Sequence, residues 1–339
     1  MKKTLFFVLS LTLILLTGCS NGTVKSTDIS SSKPLDMSTT SSNESLVQST
    51  SSDDSTGDFI TKIGESSKNE YFCIDTNSRS ELYRKNKSTG KIKTIVKAGY
   101  ISCAVLYGNW IYYAADTKNI CRVRVTGADN SILLDYSSLL THEFDNIHTM
   151  LMIDGVLILR LDSFPLYRYN LKTKKLDEIY YDARTIGVSG NKIYFSGKEF
   201  TIYEMNVHDK EPKAILESEM NIYDQTKSKN VYKNFIFIDN IMYYYKYGPD
   251  GLYSYKNKKS VLIDDDSNIV DSSLFEYEGK LYYVVRGDTT DVLKNYDPKS
   301  KKVLKSAELK DYFYVTEIVD DIFYYYDLSN NKRQVKINQ

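Results

Sequence analysis

What most constrains this chain is a six-residue pattern, a turn followed by an apolar and aromatic strand, that returns seven times. The copies are Lys68-Asn69-Glu70-Tyr71-Phe72-Cys73, Gly108-Asn109-Trp110-Ile111-Tyr112-Tyr113, Asp154-Gly155-Val156-Leu157-Ile158-Leu159 and Gly190-Asn191-Lys192-Ile193-Tyr194-Phe195. Three more follow: Asp239-Asn240-Ile241-Met242-Tyr243-Tyr244, Glu278-Gly279-Lys280-Leu281-Tyr282-Tyr283 and Asp320-Asp321-Ile322-Phe323-Tyr324-Tyr325. Measured at their last residues, the spacings are 40, 46, 36, 49, 39 and 42, with a mean of 42. A unit this short cannot bury its own aromatic strands and must stack against copies of itself. A repeat of roughly 40 to 45 residues holding about four strands is the size of a β-propeller blade.

The rest of each unit fits that reading. A partner strand follows every copy, as in Leu82-Tyr83-Arg84, Ile120-Cys121-Arg122-Val123, Leu166-Tyr167-Arg168-Tyr169, Ile202-Tyr203-Glu204-Met205 and Leu252-Tyr253-Ser254-Tyr255. Val292-Leu293-Lys294 and Arg333-Gln334-Val335-Lys336-Ile337 are weaker forms of it. Strands covered on both faces by neighbouring blades read as unbroken apolar runs, as Ile322-Phe323-Tyr324-Tyr325-Tyr326 does. Outermost strands have a free edge that Lys protects, and Lys91-Ile92-Lys93-Thr94-Ile95-Val96-Lys97 and Lys301-Lys302-Val303-Leu304-Lys305 have that composition. Tyrosine, at 30 copies, suits strands and can cover a core while its hydroxyl stays near water. Helix should be scarce, its likeliest place being residues 136–140. The expectation is an all-β chain with a seven-bladed propeller over residues 58–339, or six or eight blades if one unit is atypical. The strand Phe59-Ile60-Thr61-Lys62-Ile63 either pairs with the last blade or is the inner strand of the first.

Residues 1–57 have a different composition. Met1-Lys2-Lys3 precedes an apolar run over residues 5–16 that closes on Leu16-Thr17-Gly18-Cys19. Its 12 residues are too few for a permanent membrane helix, which takes roughly 20, and the pattern is that of a signal peptide ending in a lipobox. Cleavage after residue 18 would leave Cys19 to be acylated and would anchor the chain on the extracytoplasmic face of the cell membrane. Residues 20–57 contain 19 Ser or Thr in 38 positions and should form, with Cys19, a flexible tether. Its r.m.s. reach would be roughly 30 to 35 Å.

Loss of residues 1–18 removes Lys2 and Lys3 from 44 basic side chains, leaving 42 against 44 acidic ones. Without a basic field, nucleic acid is excluded as a partner. Cys73, Cys103 and Cys121 show no Cys-x-x-Cys spacing, which argues against a zinc or redox site. They read as small apolar strand residues, although the compartment permits one disulfide among them.

No cofactor site or catalytic set stands out. Val188-Ser189-Gly190 lies in a repeat turn and lacks the flanking glycine of a nucleophile elbow. The chain has only His142, His148 and His208 as imidazole bases. In His142-Glu143-Phe144-Asp145-Asn146-Ile147-His148 the two His lie six apart, not the four that place both on one helix face over zinc, so a polar loop is expected. Asp264-Asp265-Asp266-Ser267-Asn268 lacks the alternating pattern of a calcium loop. Tyr243-Tyr244-Tyr245 and Tyr324-Tyr325-Tyr326 could stack sugars on an open face, but their place in central strands favours core packing. The longest irregular stretch, residues 217–233, is the first place to seek a binding surface.

The ends Phe72-Cys73-Ile74-Asp75, Tyr113-Ala114-Ala115-Asp116 and Tyr324-Tyr325-Tyr326-Asp327 resemble the YWTD-type propellers of low-density-lipoprotein-receptor relatives. Ile120-Cys121-Arg122-Val123-Arg124-Val125-Thr126-Gly127-Ala128-Asp129 is more similar to a propeller domain of unknown function in bacterial lipoproteins. The resemblance spans residues 58–337. The third unit lacks the aromatics and the fourth, at Phe195-Ser196-Gly197-Lys198, lacks the Asp. It implies a propeller and a surface location, and carries over no active site. Two functions remain: a non-enzymatic binding or scaffold module whose propeller face engages a protein or wall glycan, and a carbohydrate-cleaving enzyme using paired carboxylates.

Overall fold

The computed structural model describes residues 59–76, 79–116, 118–139, 146–220, 228–319 and 321–338. The signal peptide, Cys19, the tether and His142 lie outside them. The described chain forms seven antiparallel sheets, each a simple meander. Blades 1 to 6 span residues 59–98, 101–135, 147–180, 186–216, 231–264 and 275–309, with four strands each. Blade 7, residues 312–336, has three. The count is therefore seven.

Each turn-plus-strand repeat is the hairpin between the inner and second strands of a blade. Residue pairs with positive φ mark its turn: Asp154 and Gly155 (46° and 69°), Asp239 and Asn240 (49° and 60°), Glu278 and Gly279 (51° and 74°). Two successive left-handed residues make a type I′ turn, whose twist matches that of the flanking strands, and Asp, Asn and Gly tolerate it best. Helix is confined, among the described residues, to 3-10 turns such as Ser137–Leu139, inside the stretch expected from sequence, and Asp271–Ser273.

Six buried apolar clusters join consecutive blades. Second strands alternate between them: Tyr112 and Ala114 face blade 3, while Ile111, Tyr113 and Ala115 face blade 1. Tyr243, Tyr244 and Tyr245 are at most 1% exposed, so this triplet is core. Cys73, Cys103 and Cys121 are buried in strands, and no disulfide joins them.

Outer strands share a bulge. In blades 1 to 4 the extra residue is Ile95, Leu133, Ile179 or Ile215, and the next residue pairs with the third strand. A bulge sets two residues against one, so adjacent side chains can face the same way. Both members of each doublet, Ile95-Val96, Leu133-Leu134, Ile179-Tyr180 and Ile215-Leu216, enter the cluster shared with the next blade.

Phe59–Glu65 pairs with Asn69–Thr76 as the inner strand of blade 1. This settles which of its two expected positions it takes. Among the described residues, the last strand, Lys332–Lys336, is the outermost of blade 7. Among the described residues, no buried cluster joins blade 7 to blade 1. The face that blade 7 turns away from blade 6 carries Ile322 and Tyr324, both half buried, and Tyr326. Phe72 and Ile74 of blade 1 are half buried on the opposing side.

The Asp at the end of the second strand is a latch. Asp116 and Tyr100 are joined by Asp116 N–H to Tyr100 O (3.0 Å) and Tyr100 N–H to Asp116 Oδ1 (3.2 Å). Asp162 holds Asn146 the same way, at 3.0 and 3.2 Å. In blade 4, Ser196 takes this role: its Oγ accepts the Thr185 N–H (3.1 Å) and its own N–H donates to Thr185 O (2.9 Å). In blades 2 and 3 this Asp thus fixes the chain as it enters the blade, whereas the Asp327 carboxylate accepts from the Ser329 and Asn331 N–H groups and from Arg333 in the loop that follows it.

Candidate functional site

The hairpin turns lie at one end of the propeller. At the other, the crossover face, the chain passes between blades and second strands loop to third strands. Four inner strands bulge near this end, at Ser102, His148, Lys233 and Phe313. Bulges re-aim side chains, and all four residues are half buried.

Over blades 3 to 5 these positions meet an aromatic and cationic patch. Phe164 and Phe200 occupy corresponding loops with φ of 80° and 59°, and their N–H groups donate to Leu161 O (3.0 Å) and Gly197 O (2.9 Å). A bulky residue in the left-handed region is strained, and such strain gathers at binding sites. Gly197 makes the second loop fit, because a Cβ there would meet the Tyr180 hydroxyl at 2.8 Å and the Tyr203 ring at 2.9 Å. The Arg184 guanidinium carbon lies 5.7 Å from the Phe164 ring centre and 4.6 Å from that of Phe200. Arg184 Nε is 3.5 Å from Asp182 Oδ1. A cation over aromatic faces is attracted by their quadrupoles.

Arg160, 4% exposed, has its guanidinium carbon 5.9 Å from the Phe164 ring centre, with Nη1 donating to Leu161 O at 3.4 Å. Burial lowers its pKa to about 10. Burial, and then the Arg160 charge, pushes His148 down to about 3, so its imidazole is neutral at physiological pH. His148 Nδ1 is 2.9 Å from Thr149 Oγ1.

Lys233 continues the patch. Its Nζ is 3.2 Å from Asp271 Oδ2 and 4.5 Å from the Tyr247 ring centre, while the Tyr247 hydroxyl donates to the same carboxylate oxygen at 3.2 Å. Burial and then Asp271 raise the Tyr247 pKa. The insertion begins beside this group. Glu219 and Lys229 exchange backbone hydrogen bonds of 3.0 and 3.1 Å, Ser218 N–H donates to Thr201 Oγ1, and Asn230 N–H donates to Gly248 O. Residues 221–227 lie outside the described chain.

The other sequence candidates are dispersed. His208 lies at the hairpin end, with Nε2 3.6 Å from Asp154 Oδ2. It lines a hollow of about 140 Å³ with Arg168 and Asp177, away from His148. Ser189 Oγ donates to Asn240 Oδ1 at 2.8 Å, an inter-blade contact between turns. Asp264 accepts from the Tyr283 hydroxyl (2.6 Å) and Lys294 Nζ (3.0 Å), and Lys294 also reaches Asp266 (3.1 Å). Burial raises the Asp264 pKa, but these donors outweigh it and the net shift is downward. Among the described residues, no three His, Cys, Asp or Glu side chains converge as metal ligands. Sequence reasoning reached residues 217–233 but missed Phe164, Phe200, Arg160 and Arg184. The signal it could have used is a lone aromatic among turn formers, as in Ser163-Phe164-Pro165.

No family model and no curated protein matches the chain. Its fold is similar to that of the acylaminoacyl peptidase of Pyrococcus horikoshii, with a TM-score of 0.56 and 13% identity over 84% of this chain and 51% of the peptidase. The β-propeller domain of the Trilobed protease from Pyrococcus furiosus, described as having an open velcro topology, gives 0.53 and 12% over 82% of this chain and 94% of that domain. PorZ, a surface component of the type-IX secretion system of Porphyromonas gingivalis, gives 0.52 and 12% over 83% of this chain and 37% of PorZ. At such identities the likeness extends to the fold alone: the chain is a seven-bladed β-propeller.

Proposed function

We propose that this chain is a cell-surface lipoprotein of the YWTD-like propeller type. Lipid on Cys19 anchors it to the membrane, and the crossover face over blades 3 to 5 is a non-enzymatic binding surface. The observation that carries the binding role is Arg184 held between Phe164 and Phe200, two strained loop aromatics. Aromatic and Arg side chains dominate recognition surfaces because they bury large areas with few torsions. The partner is a protein or a wall glycan.

A carbohydrate-cleaving role has less support. A general acid there needs a carboxyl whose pKa is raised. Among the described residues, the shifted carboxyls, including Glu81, Asp264 and Asp327, hold their protons less tightly than usual.

The test is capture from lipidated cells by wild-type chain and by Arg184→Ala and Phe200→Ala variants. Binding should fall at least about tenfold in the variants. Equal capture by all three would refute the assigned face. A Cys19→Ala chain should leave the membrane fraction, and its retention there would refute the anchor.

A further inference from the structure

Arg160 is a buried cation in a place where the fold does not need one. Val156 and Ile158 enter the cluster shared with blade 4, and Arg160, in phase with them on the same strand, turns to the same side. Blade 2 has Ala114 there: each residue lies two before its latch Asp, and Ala114 also turns to the next blade and is 1% exposed. A small apolar residue therefore suffices at this point of a blade.

The charge is also left without a counter-ion. Among the described residues Arg160 forms no ion pair. Its guanidinium carries five N–H donors, of which one is used, by Leu161 O at 3.4 Å. Nε and Nη2 have no acceptor and are not sealed from solvent, so a ligand can reach them. Asp162, two residues on, gives its Oδ2 to the Asn146 N–H (3.2 Å). Burying an unpaired guanidinium is strongly destabilising, and an anion from outside would offset that cost.

We propose that the crossover face over blades 3 to 5 recognises an acidic peptide segment, with Arg160 taking the carboxylate of a Glu or Asp side chain and Phe164 and Phe200 covering an apolar neighbour. This rests on the reading of that face as a binding surface and supplies the chemistry of what it binds.

Arg184 adds to the same site. Its guanidinium carbon and that of Arg160 both lie within 6 Å of the Phe164 ring centre, at 5.7 and 5.9 Å. Arg184 Nε and Asp182 Oδ1 are buried and 3.5 Å apart, yet neither forms a hydrogen bond, so this pair is poorly aligned. The planar fork of a guanidinium matches a carboxylate.

Charge and surface select the ligand further. Asp162 and Asp182 stand beside the two arginines, Asp271 offsets Lys233, and His148 is neutral. The site therefore suits a single negative charge better than the near-double charge of a phosphate monoester. Phe164 remains 38% exposed, and neither Phe ring has a polar tip for sugar hydroxyls, whereas an apolar side chain needs none.

Titration of the chain with acetyl-Phe-Glu-amide, its uncharged counterpart acetyl-Phe-Gln-amide and inorganic phosphate tests this, read from the Arg160 and Arg184 Nε–H resonances by NMR. The acidic dipeptide should move both resonances and bind at least about tenfold more tightly than the uncharged one. Arg160→Met should lose that preference and unfold at the same denaturant concentration as the wild type or a higher one, because no ion pair is broken. Equal binding of the two dipeptides, no response to either, or a response to phosphate alone would overturn the proposal, and these titrations decide even if the variant fails to fold. A lower unfolding midpoint in Arg160→Met would also overturn it, since an acid of the chain would then already pair with Arg160. Partner capture separates the two readings. Capture lost in Arg184→Ala and Phe200→Ala but kept in Arg160→Met would leave the face and refute the carboxylate, whereas capture kept in all three would refute the face itself.

Discussion

The seam between blades 5 and 6 and the seam between blades 7 and 1 are built from the same repeat yet are buried to different degrees. At the first, Tyr243, Tyr245, Leu281 and Tyr283 are at most 1% exposed, and Ile263 of the outer strand packs against them. At the second, Tyr324 and Phe72 stand at corresponding places and are half buried. A blade's aromatic strand is therefore not self-sufficient. At the buried seam an outer strand lies beside it and supplies Ile263 to the inter-blade cluster.

Substitutions that cut into the two seams unequally would sharpen this contrast. Tyr283→Ala removes a fully buried ring and should cost about 3 to 5 kcal/mol in denaturant unfolding. Tyr324→Ala, at the half-buried seam, should cost about 1 to 2 kcal/mol. Equal losses would break the comparison. Ser196→Ala should cost about 1 kcal/mol, since it leaves the Thr185 N–H without its acceptor in a partly buried site.

Acid should separate the seams as well. The backbone N–H of Asn331 and the Arg333 side chain help hold Asp327 down at about 2, below the unfolded value of about 3.9. A carboxyl depressed on folding adds stability that is complete above the unfolded pKa and lost as pH falls through the folded one. Blade 7 amides should thus lose protection between about pH 4 and pH 2, and Asp327→Asn should flatten that dependence. The smallest stability effect is expected at the proposed binding patch. Phe164→Gly should leave stability unchanged or raise it by up to about 1 kcal/mol, because glycine accepts the left-handed φ without strain, while partner capture falls. A large loss of stability would make Phe164 a structural residue instead.

Much of this was legible in the sequence because blade formation is a local matter. The turn residues Asp154-Gly155 and Asp239-Asn240 announce their hairpins, and the runs of apolar and aromatic residues after them announce strands covered on both faces. The aromatic and cationic patch was not legible. Phe164 and Phe200 come from separate blades and meet only across Arg184, and nothing in the spacing of one aromatic predicts the other. His148 was visible as a residue, but its neutral state follows from burial beside Arg160, twelve positions away on the neighbouring strand.

By itself the sequence determined a seven-unit β repeat, its hairpins and its lysine-bearing edges, since strand period and turn chemistry act over a few residues. Only the tertiary structure decided that Phe59–Glu65 joins blade 1, that Lys332–Lys336 is the outermost strand of blade 7 among the described residues, and that the outer-strand bulges turn adjacent residues to one side. These depend on contacts between residues far apart in the chain, where packing and register, not local propensity, set the free energy.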